Sequence, residues 1–194
     1  MNWETYAAFG DSITRGSRTY LGYPEVAGDI LRQRLSKQWN VINHAVNGYK
    51  AIDLARWIDP YYVHLLNQKP SISSILTGTN DIKENTSPND FSIALNQIIL
   101  KVKLITQNQN VFIIKIPHLH EGVMYPYTIQ MNEQIIALNE VIIKQADLHQ
   151  VRYLSIDHVA TDFLDGIHLN DQGLKTFGRQ VANFILKDRG VEAV

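Results

Sequence analysis

Short apolar segments alternate with longer segments of helical period along the chain. Five of the short segments are rich in β-branched and aromatic residues, are bounded by Gly, Asn, Pro or Asp, and cover residues 6–9, 41–46, 72–76, 111–116 and 151–156. Most are apolar almost throughout, which is typical of strands in a parallel sheet that is covered on both faces. The pattern therefore predicts five buried parallel strands.

The longer segments place apolar residues three and four positions apart, as one face of an α-helix requires. Pro24 suits the first turn of one helix, and Ser87 and Asn170 have the residue types of N-caps for two others. A further helix is expected over residues 128–149. Residues 51–68 are also expected to be helical, with a break at Pro60 because proline lacks an N–H group and crowds the preceding turn.

Repeated strand–helix alternation implies parallel strands joined by right-handed crossovers. For a chain of this length we expect a single domain over residues 1–194, with a three-layer α/β/α architecture and a flavodoxin-like, doubly wound, five-stranded sheet in the order 2-1-3-4-5. In such sheets, ligands bind beyond the carboxyl ends of the strands, where the strand order reverses.

Composition and net charge exclude several classes of function. The 194 residues include 18 Lys and Arg against 19 Asp and Glu, so the net charge of −1 gives no electrostatic basis for binding nucleic acid or an anionic membrane. The absence of cysteine excludes disulfides, thiolate zinc sites and a cysteine nucleophile. No apolar run is long enough to span a bilayer, and the N-terminus lacks a basic region followed by a long apolar stretch. We therefore expect no membrane anchor, no signal peptide and a cytoplasmic location by default.

Four polar segments that contain glycine follow four of the predicted strands. They are Gly10-Asp11-Ser12, Asn47-Gly48, Gly78-Thr79-Asn80-Asp81 and Asp165-Gly166-Ile167-His168. Because the carboxyl ends of parallel strands meet at one edge of the sheet, we expect these segments to converge there.

Their side chains have the chemistry of acyl transfer. Ser12 is a candidate nucleophile, His168 a candidate general base, and Asp165 a carboxylate that can hold the imidazole in the right tautomer. The N–H groups of Ser12 and Gly48 and the side-chain amide of Asn80 are candidate donors to a tetrahedral oxyanion. We expect Asp11 and Asp81 to brace their loops rather than to react.

The same four segments resemble the blocks of the GDSL/SGNH hydrolase family, with Ile13 where the family name has leucine. The resemblance implies the SGNH hydrolase fold, a serine esterase mechanism without metal or organic cofactor, Ser12, His168 and Asp165 as catalytic residues, and Ser12, Gly48 and Asn80 as the oxyanion hole. The substrate it implies is a small-molecule carboxylic ester. A chain of this size with few long loops predicts an open cleft and therefore a small or accessible acyl group such as acetyl. The family also contains lysophospholipases, thioesterases and arylesterases.

Other interpretations of the sequence remain open. The first loop could hold a phosphate or flavin in a flavodoxin-like binding protein without hydrolase activity, and the chain could be an inactive scaffold. Ser12 could simply cap the first helix. His118 and His120 could bind a metal, although the plainer interpretation is that residues 117–127 line the cleft, with Met124, Tyr125 and Tyr127 forming an apolar wall.

Two further features bear on partners. Exposed aromatic residues around Trp57 and residues 61–62 could mark the surface of a homodimer. Arg15 and Arg18 flank the nucleophile loop and could meet an anionic substrate, but a solvated loop is the simpler expectation.

Overall fold

The computed structural model describes residues 3–193, and their strands form one parallel sheet in the order β2-β1-β3-β4-β5. The strands are β1 (Trp3–Gly10), β2 (Gln38–Asn43), β3 (Ile72–Leu76), β4 (Val111–Ile114) and β5 (Arg152–Leu154). Each pair of neighbouring strands runs parallel. The predicted fold class and strand order are confirmed.

Helices cover both faces of this sheet. They are α1 (Ser12–Arg15), α2 (Tyr23–Arg34), α3 (Ala51–Gln68), α4 (Thr79–Lys83), α5 (Pro88–Ile105), α6 (Asn132–His149) and α7 (Asp171–Lys187). One apolar core lies between the sheet and helices α3, α5 and α6, and a second lies between the sheet and helices α2 and α7. The molecule therefore has three layers.

The buried part of the central strand β1, residues 6–9, shows why this stretch of sequence is apolar throughout. Ala7 and Phe9 face the core on the side of α3 and α5, whereas Tyr6 and Ala8 face the core on the side of α2 and α7. All four side chains are fully buried. Successive residues of a strand point to opposite faces, so a strand that is covered on both faces cannot alternate between apolar and polar residues.

Strand β2 begins and ends three residues earlier than the apolar pattern predicts. It is an edge strand in which Gln38 and Asn40 are exposed on either side of the buried Trp39. Because these two residues are polar, the apolar pattern does not include the start of the strand. The chain still follows β1 after the strand, because the His44 N–H donates to the Ala8 carbonyl at 2.8 Å and the Val46 N–H to the Gly10 carbonyl at 3.0 Å. The loop after β2 is therefore held against the end of β1.

The predicted break at Pro60 is wrong, since α3 continues through this residue. The buried face of α3, which includes Leu54 and Ile58 before the proline and Leu65 after it, packs into the core and keeps both halves of the helix on the sheet. Lys101 of α5 donates a hydrogen bond to the Ala55 carbonyl at 2.8 Å, one turn before the proline. Packing against the sheet and α5 thus outweighs the local cost of a proline inside a helix.

The predicted caps are present where helices begin. The Ser87 hydroxyl accepts from the Asp90 N–H at 3.1 Å at the start of α5, and the Asn170 Oδ1 accepts from two N–H groups at the start of α7. Helix α6 begins at Asn132 rather than at residue 128, after a turn of 3₁₀ helix at Ile129–Met131. Within residues 3–193, no helix combines the length and the apolar character that crossing a membrane would require.

Candidate active site

The candidate nucleophile lies at the junction of β1 and α1. Gly10 ends the strand at a point where a Cβ atom would come within 2.3 Å of the Thr14 Oγ1 and 2.4 Å of the Leu76 carbonyl oxygen. Asp11 caps α1, because its Oδ1 accepts a hydrogen bond from the Ile13 N–H at 3.0 Å. Ser12 is the first residue of the helix and is 8% exposed. The cap is therefore supplied by Asp11, as expected for a bracing residue, and not by Ser12.

Three side chains from the two ends of the chain form one hydrogen-bonded series. The His168 Nε2 lies 3.1 Å from the Ser12 Oγ, and the His168 Nδ1 lies 2.8 Å from the Asp165 Oδ2. The other oxygen of Asp165 accepts from the backbone N–H groups of Ile167, at 3.2 Å, and His168, at 2.8 Å. The carboxylate thus fixes both the backbone and the ring of His168.

The electrostatics of this series favour an ionised Asp165. Burial acts to raise the pKa of the Asp165 carboxyl, but the hydrogen bonds from His168 and Ile167 outweigh burial and leave this pKa below its usual value. A carboxylate can only accept, so the His168 Nδ1 donates to it and the Nε2 lone pair is left to accept from the Ser12 hydroxyl. The arrangement can therefore remove the proton of Ser12.

The two other candidate oxyanion donors lie in the loops after the strands that flank β1. Gly48 has a φ of +79°, and among the described residues, apart from Gly48 and its two chain neighbours, no atom lies within 4 Å of the position that a Cβ would take. Its backbone therefore borders open space. Asn80 lies in α4 and is 5% exposed, and its Nδ2 donates to the Tyr49 carbonyl at 3.0 Å. Tyr49, the residue after Gly48, is therefore hydrogen-bonded to the side chain of Asn80.

A second contact ties the Gly48 loop to the nucleophile loop. The Ser17 hydroxyl donates to the Asn47 Oδ1 at 2.8 Å, and Ser17 follows α1 closely. The structure thus brings Ser12, His168 and Asp165 into contact. It places Gly48 in the loop after β2 and Asn80 in the short helix α4 after β3. Among the described residues, no hydrogen bond joins Gly48 or Asn80 to Ser12 itself.

The loop of Asn80 is also braced from α3. Asp81 Oδ2 accepts from the Ala51 N–H, in the first turn of α3, at 2.9 Å. Burial raises the pKa of the Asp81 carboxyl. The expectation that Asp81 braces its loop is confirmed.

Sequence reasoning missed the roles of two side chains in this region. Arg18 does not lie in a merely solvated loop, because its guanidinium is 3.4 Å from the Asp165 Oδ2. Tyr127 does more than form an apolar wall, because its hydroxyl donates to the Asn80 Oδ1 at 3.2 Å. Both contacts join segments that are far apart in the sequence, and no periodicity or spacing signals them.

The two histidines of the segment after β4 do not share a site. His118 is exposed, whereas the His120 Nε2 lies 2.9 Å from the His158 Nδ1, and the rings of His120 and His158 both pack against Phe163. Burial, with a contribution from His120, lowers the pKa of His158 to about 4. Across residues 3–193, no group of three or more His, Cys, Asp or Glu side chains could hold a metal ion.

Two open cavities with mostly polar walls flank the Gly48 loop. One has a volume of about 430 Å³ and includes Arg15, Ser17 and Asn47 in its lining. The other has a volume of about 480 Å³ and lies between Arg15 and Trp57. Both cavities have Arg15, Asn43 and Asn47 in their linings.

Comparison with known proteins identifies one family along most of the chain. Residues 8–175 match the model of the GDSL-like lipase/acylhydrolase family. This range includes all four of the polar segments that follow the strands. No curated protein gave a significant sequence match.

Solved structures with the same fold include several esterases. A lipase/acylhydrolase from Enterococcus faecalis is 22% identical with a TM-score of 0.74, and the match covers 96% of each chain. An acetylxylan esterase from Geobacillus stearothermophilus is 18% identical with a TM-score of 0.69, and the match covers 97% of this chain and 95% of that one. An α/β hydrolase from the metagenome of Lake Arreo is 17% identical with a TM-score of 0.70, with 96% and 95% covered.

Proposed function

Because the chain belongs to the GDSL-like lipase/acylhydrolase family, and is thereby an ester-hydrolysing enzyme, we propose that it cleaves carboxylic esters through an acyl-enzyme formed on Ser12. The observation that carries this proposal is the hydrogen-bonded series from the Ser12 Oγ through His168 to Asp165. A serine hydroxyl is a weak nucleophile at neutral pH and needs a base within hydrogen-bond reach.

The first half of the reaction forms the acyl-enzyme. His168 Nε2 takes the hydroxyl proton while the Ser12 Oγ attacks the ester carbonyl, and Asp165 stabilises the imidazolium that results. The tetrahedral intermediate collapses when the C–O bond to the alcohol breaks. His168 gives its proton to the departing alcohol oxygen, which leaves a neutral alcohol and acylated Ser12.

The oxyanion is bound by three donors in this proposal. They are the N–H of Ser12, the N–H of Gly48 and one Nδ2 hydrogen of Asn80. The N–H of Ser12 lies in the first turn of α1, where backbone donors have no partner within the helix. The Asn80 amide has two N–H donors and gives one of them to Tyr49, so the other is available to a substrate oxygen.

The second half of the reaction repeats these steps with water. His168 removes a proton from the water, the hydroxide attacks the acyl carbon, and the bond to the Ser12 Oγ breaks. The Ser12 oxygen regains its proton from His168 and the carboxylic acid leaves. These steps need no redox partner, and His168 carries each proton: it passes the Ser12 proton to the alcohol and returns a proton from water to Ser12.

We further propose that the acyl group is small and that the alcohol is polar, as in an acetylated sugar. Mostly polar walls border the cavities beside the Gly48 loop, and Trp57, which stacks with Tyr61 at a ring distance of 4.9 Å, lies at one of them. Two proteins of the same fold are acetylxylan esterases, which supports the same substrate class.

One observation favours a second candidate, an esterase for longer acyl chains such as a lysophospholipase. A mostly apolar cavity of about 220 Å³ lies beside the start of α7, with Leu21, Val26 and Leu174 in its wall. This helix begins three residues after His168. An acyl chain of several carbons could be accommodated there.

A mutant pair tests the nucleophile. Ser12→Ala should abolish hydrolysis of p-nitrophenyl acetate while circular dichroism stays unchanged, whereas Ser36→Ala, at an exposed serine after α2, should keep the wild-type activity. A fluorophosphonate probe should label the wild-type enzyme on the peptide that contains Ser12. Wild-type turnover by Ser12→Ala would reject Ser12 as the nucleophile.

A substrate panel separates the two candidates. We expect kcat/KM for p-nitrophenyl esters to fall as the acyl chain lengthens from acetate to octanoate, and acetylated xylose oligomers to be deacetylated. Faster hydrolysis of octanoate or of lysophosphatidylcholine would favour the second candidate instead.

A further inference from the structure

The amide of Asn80 is held from both sides. Its Nδ2 donates to the Tyr49 carbonyl at 3.0 Å, and its Oδ1 accepts from the Tyr127 hydroxyl at 3.2 Å. A carbonyl oxygen can only accept, so it must face the nitrogen side of the amide. The oxygen side then faces Tyr127, whose hydroxyl must donate. This pair of contacts sets the direction of the second N–H of Asn80.

Tyr127 is itself anchored to the loop that carries Asp165. The Tyr127 N–H donates to the Met124 carbonyl at 3.0 Å, and the Met124 N–H donates to the Asp165 carbonyl at 3.2 Å. Gly166 lies against the same segment, since a Cβ there would come within 2.8 Å of the Val123 Cα. The Tyr127 segment thus spans from the acid of the Ser12–His168–Asp165 series to the amide of Asn80.

The Tyr127 hydroxyl remains a donor over the whole working range of pH. Burial, together with the carboxyls of Asp11, Glu84, Asp165 and Asp81, raises the pKa of Tyr127 well above its ordinary value. The ring is partly buried against the apolar core on the side of α3, α5 and α6. Tyr127 is therefore a fixed, neutral donor.

We propose that Tyr127 is a positioning residue for ester hydrolysis, which orients the Asn80 amide so that one N–H points at the oxyanion of the tetrahedral intermediate. The inference rests on the proposed function, since it assigns Asn80 to the oxyanion hole. A donor that is held in place before the reaction stabilises the developing charge without reorganisation, and a hydrogen bond to the amide oxygen also polarises the N–H.

The chain offers a matched pair of variants for the test. Tyr127→Phe removes the hydroxyl and keeps the ring, whereas Tyr125→Phe makes the same change at a side chain that is 90% exposed in the same segment. We expect Tyr127→Phe to lower kcat for p-nitrophenyl acetate by roughly three- to tenfold with KM within twofold, the loss of one hydrogen bond in the transition state. Tyr125→Phe should leave both constants unchanged.

A double-mutant cycle shows whether Tyr127 acts through Asn80. In the Asn80→Ala background, Tyr127→Phe should lower kcat by less than twofold, because the amide that it orients is gone. An equal loss in both backgrounds, or an unchanged kcat in Tyr127→Phe alone, would overturn the positioning role.

Binding of a boronic acid provides a further test, because this compound forms a tetrahedral adduct with an active-site serine. If Tyr127 served only in packing, its replacement would not change the affinity for the boronic acid. Tyr127→Phe should weaken this binding by the same factor as kcat and leave the melting temperature within the range of Tyr125→Phe. If Asn80→Ala alone retains full kcat, the oxyanion assignment of Asn80 fails and Tyr127 loses its role with it. If Asn80→Ala is impaired and Tyr127→Phe is not, only the role of Tyr127 is overturned.

Discussion

The guanidinium of Arg18 lies 3.4 Å from the same oxygen of Asp165 that accepts the hydrogen bond of the His168 ring. Arg18 follows α1, has a φ of +70°, and its side chain is about half exposed. The Asp165 carboxylate therefore divides its charge between an imidazole and a permanent cation. Because the arginine is exposed, its effect on stability is small, about 0–1 kcal/mol, and its effect on proton transfer is the more informative quantity.

Arg18→Gln should raise kcat for p-nitrophenyl acetate by about twofold. Without the cation, the Asp165 carboxylate no longer divides its charge and stabilises the imidazolium of the transition state more strongly. The gain should shrink in 0.5 M salt, which screens the arginine in the wild type. Arg179→Gln, at an exposed position on α7, is the control, and equal kcat values for Arg18→Gln and the wild type would exclude this coupling.

Asp165→Asn should lower kcat by roughly 10³- to 10⁴-fold with little change in KM. An amide in place of the carboxylate can donate to the Nδ1 of His168, which favours the tautomer that cannot accept the Ser12 proton. Asp157→Asn changes an exposed acid eight residues earlier and should leave kcat within twofold. A similar loss in both variants would mean that Asp165 acts through general charge rather than through the ring.

The fold could be predicted from the sequence because burial on both faces leaves continuous apolar strands at the centre of the sheet. The prediction was less accurate at β2, where an edge strand exposes Gln38 and Asn40, and at Pro60, where packing on α5 and the sheet holds the helix together. Both misses have one physical cause. Local rules describe an isolated segment, whereas these residues are fixed by neighbours from elsewhere in the chain.

The candidate site could be predicted only as far as its elements follow the strands. Ser12, Asn80 and His168 stand in short polar segments after strands, and the parallel topology brings those segments to one edge of the sheet. Arg18 and Tyr127 reach the site by side-chain length and loop path. No pattern of spacing encodes such contacts, so their roles appear only in three dimensions.

Gly48→Ala tests whether the backbone at this position must stay open to the substrate. The φ of +79° at Gly48 disfavours an L side chain, so alanine there costs about 1 kcal/mol of stability. The Cβ that alanine adds would meet no atom of the described residues within 4 Å, apart from those of its two chain neighbours. Gly190 has a φ of +68° and is equally open, so Gly190→Ala carries the same strain at the end of the chain. We expect similar losses in stability by urea unfolding, but a fall in kcat/KM only for Gly48→Ala. Equal activities would show that no substrate atom approaches Gly48.

Asp11 is a buried acid whose ionisation opposes folding. It is fully buried, and its Oδ2 has no hydrogen-bond partner among the described residues. Burial, with a contribution from the Asp81 carboxyl, raises the pKa of the Asp11 carboxyl to about 7, although the Ile13 N–H and the nearby Thr79 oppose this rise. A carboxyl with a higher pKa in the folded than in the unfolded chain binds more protons when folded. Its contribution to stability therefore falls as the pH rises from about 4 to about 7.

Asp11→Asn should stabilise the protein more at pH 8 than at pH 5. Asparagine keeps an oxygen that can accept from the Ile13 N–H and cannot ionise, so the variant avoids a cost that grows by about 2–3 kcal/mol between these two pH values. Urea unfolding of both proteins at pH 5 and pH 8 measures the difference. If Asp11→Asn changes the stability equally at both pH values, Asp11 is already ionised in the folded protein at pH 5, and its carboxylate must be paired with a donor that offsets burial.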